Sequence, residues 1–144
     1  MKVRSILAVK GDQVATISPS ATVTELVDVL FINGIGAAVV SADGSTVAGI
    51  VSERDVVRAL AAGHDLKGAT VASIMTEVVH TATVETSIDE LMATMTSSRV
   101  RHIPIVDDDG VLAGIVSIGD VVKHRMDELE TERTALSDYI NRGG

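Results

Sequence analysis

Two short segments carry the residue types best suited to binding chemistry, Ser52-Glu53-Arg54-Asp55 and Ser117-Ile118-Gly119-Asp120. In each, a hydroxyl precedes a carboxylate by three positions, directly after an apolar run (Gly49-Ile50-Val51 or Gly114-Ile115-Val116). One use of this pattern is structural. The spacing matches a capping box, in which the Ser side chain accepts from the third helical N–H while the acid reaches back to the Ser N–H. The other use is recognition. A helix N-terminus offers free N–H groups and positive partial charge, which suit a phosphate. An ionised carboxylate beside it can accept both hydroxyl protons of a ribose. A helix entrance with both features is fit to hold a ribose phosphate, and on these residues alone the two uses stay open.

The same segments expose a duplication. Ala48-Gly49-Ile50-Val51-Ser52-Glu53-Arg54-Asp55-Val56-Val57 returns 65 residues later as Ala113-Gly114-Ile115-Val116-Ser117-Ile118-Gly119-Asp120-Val121-Val122, with eight of ten residues identical. Without a gap, Val14-Ala15-Thr16 aligns with Val79-His80-Thr81, and Glu25-Leu26 with Glu90-Leu91. The openings Val3-Arg4-Ser5-Ile6-Leu7 and Val71-Ala72-Ser73-Ile74-Met75 match once three extra residues are allowed in the first loop. Such a repeat predicts two similar subdomains facing each other across a pseudo-twofold axis, so a cleft along that axis should exist twice.

The elements that must position the Ser-Asp pairs follow from periodicity and turn chemistry. Val14 to Ile17 is a short β-prone run. Thr22-Val23-Thr24-Glu25 has capping-box form, and Val23, Leu26, Val27, Leu30 and Phe31 follow at helical spacing up to Asn33-Gly34. Ala37 to Ser41 and Thr46 to Ser52 read as strands around Asp43-Gly44, and a helix runs from Ser52 to Ala62-Gly63. In the second half, Val78 to Thr83 is expected as a strand and Ser87 to Met95 as a capped helix. Ile103 to Val106 and Val111 to Val116 form a hairpin, and Asp120 lies in the first turn of the last helix. The order per half is β-α-β-β-α, an α/β (α+β) fold. Residues 1–65 form one repeat, 66–126 the other, and 127–144 a C-terminal helical extension. Val122, Met126, Leu129, Arg133, Leu136 and Ile140 make an amphipathic stripe expected to pack on the domain or on a sister subunit. It is too short, with an Arg in its seam, for an isolated coiled coil.

Composition excludes several function classes. A net charge of −8 and only two aromatics, Phe31 and Tyr139, argue against a nucleic-acid surface. The absence of Cys removes thiolate and disulfide chemistry. No apolar run approaches the roughly 20 residues of a membrane helix, and Met1-Lys2-Val3-Arg4 opens no signal peptide. A soluble cytoplasmic protein without membrane or nucleic-acid partners is therefore expected. His64, His80, His102 and His124 have no metal-ligand spacing, and Asp107-Asp108-Asp109 supplies too few ligands for a calcium loop, so no metal is expected. Gly34-Ile35-Gly36 follows a helix and precedes a strand, the reverse of a dinucleotide-binding turn, and reads as a helix stop and loop. No activated nucleophile or paired acid and base stands out, so no catalytic residues are expected and the chain is not read as an enzyme.

The two Ser-Asp segments, together with Val100-Arg101-His102-Ile103-Pro104-Ile105-Val106, resemble a tandem pair of CBS domains, a Bateman module. The resemblance covers Val3 to about Met126, and is nearest to small stand-alone bacterial proteins made of little else. It implies two repeats packed through their sheets, with composite clefts that hold adenosine-containing ligands: AMP first, with ATP, ADP or NAD(H) as alternatives. One site would use Ile50, Ser52, Arg54 and Asp55 with Val79, His80, Thr81, Val100, Arg101 and His102. Its mirror would use Ile115, Ser117, Gly119 and Asp120 with Val14, Ala15, Thr16, Ile35, Gly36 and Ala37. By the same resemblance, each Asp binds ribose hydroxyls and each Ser approaches the ribose or phosphate. Backbone near Ala15 or His80 reads the adenine edge, and Val79, Val100, Val14 and Ile35 sandwich the base.

The repeats differ in charge. Arg54, Arg101 and two histidines gather at the Asp55 cleft, where the other has Gly119, Gly36, Ala15 and Ala37. Arg–phosphate bonds are charge-assisted, so nucleotides should favour the Asp55 cleft, leaving a roomier, weaker Asp120 cleft for another adenosine derivative. The resulting expectation is a non-catalytic nucleotide sensor, a homodimer through its helices, acting on an unidentified regulated protein. The alternative is an interaction or oligomerisation module with degenerate clefts.

Overall fold

The computed structural model describes residues 1–77 and 80–143. The chain order is α1 (Val3–Lys10), β1 (Thr16–Ile17), α2 (Val23–Asn33), β2 (Ala37–Val40), β3 (Gly49–Ser52), α3 (Glu53–Ala61), α4 (Val71–Ile74), α5 (Ile88–Ser98), β4 (His102–Val106), β5 (Leu112–Ser117) and α6 (Ile118–Gly143). The fold is mixed α/β, with two repeats and a long C-terminal helix. In the first, β1 pairs parallel with β2, and β2 antiparallel with β3. In the second, β4 and β5 form the hairpin, and Ala82 bridges Ile105 in parallel fashion, at the same register as Ile17 opposite Val40. Of the strand expected over Val78 to Thr83, Val78 and Val79 lie outside the described residues. Among residues 80–83 that single bridge at Ala82 is the β-structure present.

Local signals set the helix ends. Thr22 accepts from Glu25 N–H while Glu25 reaches back to Thr22 N–H, completing the capping box of α2. Gly34 ends α2 in the left-handed region at φ 61°, which glycine enters without a Cβ penalty. Its equivalent after α5 is Arg99, at φ 53° the one non-glycine residue with positive φ among those described.

α1 and α4 lack any side-chain cap, and their positions come from tertiary contacts. Val3 N–H donates to Thr86 O (2.9 Å), and Ile88 N–H to Met1 O (3.0 Å). In the other repeat, Val71 N–H donates to Ala21 O (2.8 Å), and Val23 N–H to Ala69 O (2.9 Å). Each opening helix is thereby spliced into the opposite repeat. Val3 and Ile6 are buried with Ile88, Leu91, Met95, Ile103, Ile105, Val116 and Val121. Val71 is buried with Ile17, Leu26, Leu30, Ala38, Val40 and Val51. The two cores trade helices, so burial of each depends on both halves of the chain.

The repeated glycines make room for this exchange. A Cβ on Gly49 would lie 2.7 Å from Thr76 O, and one on Gly114 would lie 3.0 Å from both Leu7 methyl carbons. The axis itself is marked where Thr46 bridges Val111, its own counterpart in the second repeat. Asp43 holds that turn by accepting from Ser45 N–H, Thr46 N–H and the Thr46 hydroxyl. These bonds keep its carboxyl far below the ordinary range.

α6 runs unbroken past the domain. Val122, Met126, Leu129, Leu136 and Ile140 are each more than half exposed, so the stripe does not fold back onto its own domain as one arm of the expectation held. The reason is length: α6 extends 26 residues, and beyond Glu128 every described residue of it is exposed. His124, on its inner side, pairs with Glu128 (2.9 Å) with 15% of its side chain exposed. No described helix is long and apolar enough to cross a membrane.

Candidate ligand clefts

Both Ser-Asp pairs form reciprocal caps. Ser52 N–H donates to Asp55 Oδ2 (2.8 Å) and Asp55 N–H to Ser52 Oγ (3.4 Å). Ser117 N–H donates to Asp120 Oδ2 (2.8 Å) and Asp120 N–H to Ser117 Oγ (3.2 Å). The structural use of the motif is therefore real in both repeats. It is also incomplete, because these bonds fall on Oδ2 and neither Oδ1 accepts a bond from the described residues. Each Asp keeps an acceptor oxygen for something else.

Each Asp lies in a cleft wall, and the clefts are composite. A cleft of ≈ 500 Å³ is walled by Ile50, Ser52, Arg54 and Asp55 from one repeat and by His80, Val100, Arg101 and His102 from the other. A second, of ≈ 560 Å³, is walled by Ile115, Ser117 and Asp120 with Val14, Ala15, Ile35, Gly36 and Ala37. These volumes fall in the range of small-molecule sites. Val79 lies outside the described residues. Three further candidates are not brought into either cleft. Thr81 lines a groove beside Glu90 and Thr94, and Thr16, its repeat equivalent, sits in β1 opposite Val39. Both lie one step further along the chain than the wall residues His80 and Ala15. Gly119 faces a separate hollow beside Val122 and Met126. Arg54, at the same helical position, reaches its cleft through a long side chain that Gly119 lacks.

Several wall residues had not been singled out from the sequence. The Asp55 cleft also holds Glu53, Val57, Arg58, Thr76 and Arg99, and Gly36 and Ala37 reach it from the other cleft. The Asp120 cleft also holds Lys10, Gln13, Asn33 and Gly34. Lys10 Nζ donates to Asp120 Oδ2 (2.6 Å) and to Ile115 O (2.8 Å). Burial alone would push the Asp120 carboxyl up, but the Lys10 ammonium and the Ser117 amide outweigh it and hold the group below its usual range.

Charge divides the clefts as well. Arg54, Arg58, Arg99 and Arg101 against Glu53 and Asp55 leave the first cleft cationic, whereas Lys10 and Asp120 balance in the second. His102, with Gly36 and Ala37, lines both and so forms a shared partition. A Cβ on Gly36 would stand 3.7 Å from His102 Cε1 and 3.8 Å from Glu53 Oε2, so the partition is thin. Burial, reinforced by the Lys10 and Arg101 charges and opposed by Asp120 and Glu53, keeps the His102 imidazole below its ordinary basicity.

Two copies of the CBS domain model match this chain, over residues 3–62 and 71–127. A mitochondrial CBS domain-containing protein of Arabidopsis thaliana is 39% identical over 127 residues, covering 85% of this chain and 61% of the relative, less than two thirds of its length. The crystal structure of a CBS-domain-containing protein from Agrobacterium tumefaciens superposes with a TM-score of 0.82 at 42% identity, covering 87% of this chain and 99% of that one. A CBS domain protein from Pyrobaculum aerophilum complexed with AMP superposes with a TM-score of 0.74 at 25% identity, covering 83% and 89%. The chain belongs to the CBS-domain family and carries the domain as a tandem pair. The pair is a regulatory ligand-binding module in its general class.

Proposed function

We propose that this protein is a non-catalytic sensor of adenine nucleotides, with AMP its first ligand and ADP, ATP or NAD(H) as alternatives. One observation carries the reading: both Ser-Asp helix entrances open into composite clefts with an uncommitted carboxylate oxygen. In the Asp55 cleft, Asp55 takes the ribose hydroxyls, Ser52 approaches the ribose or phosphate, and the Ile50 and Val100 side chains flank the base. The surrounding arginines take the phosphate, each bond being charge-assisted. Since each cleft draws walls from both repeats, ligand binding favours one relative orientation of the halves. That bias is what a regulated partner protein in the cytoplasm would read. The AMP complex of the Pyrobaculum relative supports the ligand class.

The test is a thermal-shift series with AMP, ADP, ATP, NAD(H) and S-adenosylmethionine, followed by calorimetry on Asp55→Ala and Asp120→Ala. A ligand at 100 times its Kd stabilises by about 2.7 kcal/mol, an unmistakable shift. AMP affinity should fall more for Asp55→Ala. No shift with any compound at millimolar concentration would end the sensor reading, and a larger loss for Asp120→Ala would reverse the ranking of the clefts.

A second reading, an interaction or homodimerisation module with degenerate clefts, is favoured by the exposed apolar stripe of α6. Truncation after His124 should then abolish a dimer seen by sedimentation while leaving nucleotide binding intact. An unchanged oligomeric state removes this reading.

A further inference from the structure

Lys10 ends α1, the helix that the first repeat lends to the core of the second. It thereby reaches across 110 positions of sequence to the carboxylate of Asp120. The equivalent pair has no counterpart: among the described residues Asp55 makes no ion pair, and its only side-chain partner is Ser52. The repeats are thus asymmetric at the carboxylate of the proposed ribose-binding role: Lys10 shares Asp120 Oδ2 with the helix cap and leaves Oδ1 open.

The charge on the walls of the Asp120 cleft makes this asymmetry a matter of selection. Lys10 and Asp120 are its only two formally charged described residues; Gln13 and Asn33 are polar but neutral. His102 lines the same cleft, where burial and the Lys10 charge favour its uncharged form. With Lys10 in place the walls sum to zero, and without it they sum to −1, on a chain already at −8. An ammonium also has three donors, of which two are engaged by Asp120 Oδ2 and Ile115 O. The third remains for a ligand oxygen.

We infer that Lys10 sets the ligand charge accepted by the Asp120 cleft, admitting anionic adenosine derivatives such as phosphate esters and excluding cationic ones such as sulfonium compounds. This rests on the sensor reading above. A cation held on the ribose-binding carboxylate repels a second positive centre on the same ligand and attracts a negative one. Across roughly 6 Å in a partly wet cleft, one unit charge changes affinity by about tenfold. The Asp120 cleft therefore does not serve as a general overflow for whatever the Asp55 cleft refuses. It is a second nucleotide site with its own, single cation.

Calorimetry in an Asp55→Asn background weakens the first cleft by removing its ribose-binding carboxylate while the amide keeps the α3 cap, so that what changes on substituting Lys10 reads the second cleft. Three probes separate charge from shape: AMP, S-adenosylmethionine and uncharged 5′-methylthioadenosine. Lys10→Met should weaken AMP about tenfold, strengthen S-adenosylmethionine several-fold, and move 5′-methylthioadenosine by less than about threefold, while Lys10→Arg restores AMP binding. Equal changes for all three probes would mean that Lys10 serves only the fold, and no change for any would mean that its charge is not felt. Either result overturns the inference. If the Asp55→Asn protein binds none of the probes while the unmodified protein still binds AMP, the Asp120 cleft is no site and the inference fails, with the sensor reading intact. If the unmodified protein binds none either, both fall together.

Discussion

Arg99 offers a single-residue test of whether the first cleft trades stability for binding. It stands at φ 53°, ψ 39°, where its repeat equivalent Gly34 stands at φ 61°, ψ 39°. A side chain with a Cβ in that region costs roughly 1–2 kcal/mol. Glycine in its place loses more freedom on folding, roughly 0.5–1 kcal/mol. Arg99→Gly is therefore expected to stabilise the protein by about 0.5–1 kcal/mol, a rise in Tm of about 1–4 °C for a chain of this size. The same change removes one of the four guanidinium groups around the Asp55 cleft. Because Arg99 is exposed, water and salt reduce its pull on a phosphate to about 0.5–1 kcal/mol, or roughly two- to fivefold in Kd. Urea unfolding and AMP calorimetry on the same preparations give both numbers. Arg99→Ala should lose the affinity without gaining the stability, and Gly34→Arg should lose stability. A less stable Arg99→Gly protein with unaltered AMP binding would refute the trade, leaving Arg99 as a helix stop that happens to be arginine.

Three further outcomes follow from features already described. Gly49→Ala drives a methyl group into the Thr76 carbonyl and breaks the Ile50–Thr76 bridge, so it should cost about 2–4 kcal/mol by urea unfolding; Gly114→Ala meets only the mobile end of Leu7 and should stay within about 1 kcal/mol of the parent. Ile6→Ala should cost about 2–4 kcal/mol and, in hydrogen exchange, expose β4, β5 and α5 before β1 to β3, because the Ile6 side chain lies in the second core. His102 is less basic folded than its ordinary value of 6.5, so its contribution to stability is complete above that pH and is lost as pH falls through the lower folded value. An anion beside it raises its basicity again, so NAD, whose diphosphate keeps its charge over this range, should bind more tightly as pH drops from about 7.5 to 5.5, a trend that His102→Gln should flatten.

The Ser-Asp entrances, the α2 cap and both hairpins were legible because each is a local event, encoded within a few residues by hydroxyl, carboxylate and turn-forming types. α1 and α4 were not. Neither has a side-chain cap, and α4 is four residues long, so their start signals are backbone bonds to the opposite repeat rather than anything in their own sequence. The match of Val3-Arg4-Ser5-Ile6-Leu7 with Val71-Ala72-Ser73-Ile74-Met75 held the clue, since two similar segments must do the same job. Lys10 was invisible for the same reason: its partner is 110 residues away, and only the splice of α1 brings them together. Arg99 and Arg58 needed no new information. Pairing Arg99 with Gly34 in the repeat register, and placing Arg58 on the same helix as Asp55, would have found both. Thr16 and Thr81 enter only through the family resemblance, and their own sequence does not say which face of the short first strand they occupy: Thr16 pairs opposite Val39 and Thr81 lines a groove beside Glu90.

The lending of α1 and α4 between cores also constrains how such a chain could be divided. Half of it, alone in solution, would present an empty groove and a loose arm with nowhere to dock. Two such halves would satisfy one another, each arm entering its companion's groove, at a rate set by how often they meet. Joined by a linker, the arms find their grooves at an effective concentration in the millimolar range, whatever the number of molecules in the cell. Duplication in this architecture therefore turns a partnership between molecules into a property of one, and it frees the two pockets to diverge, as Lys10 on one side and four arginines on the other already have.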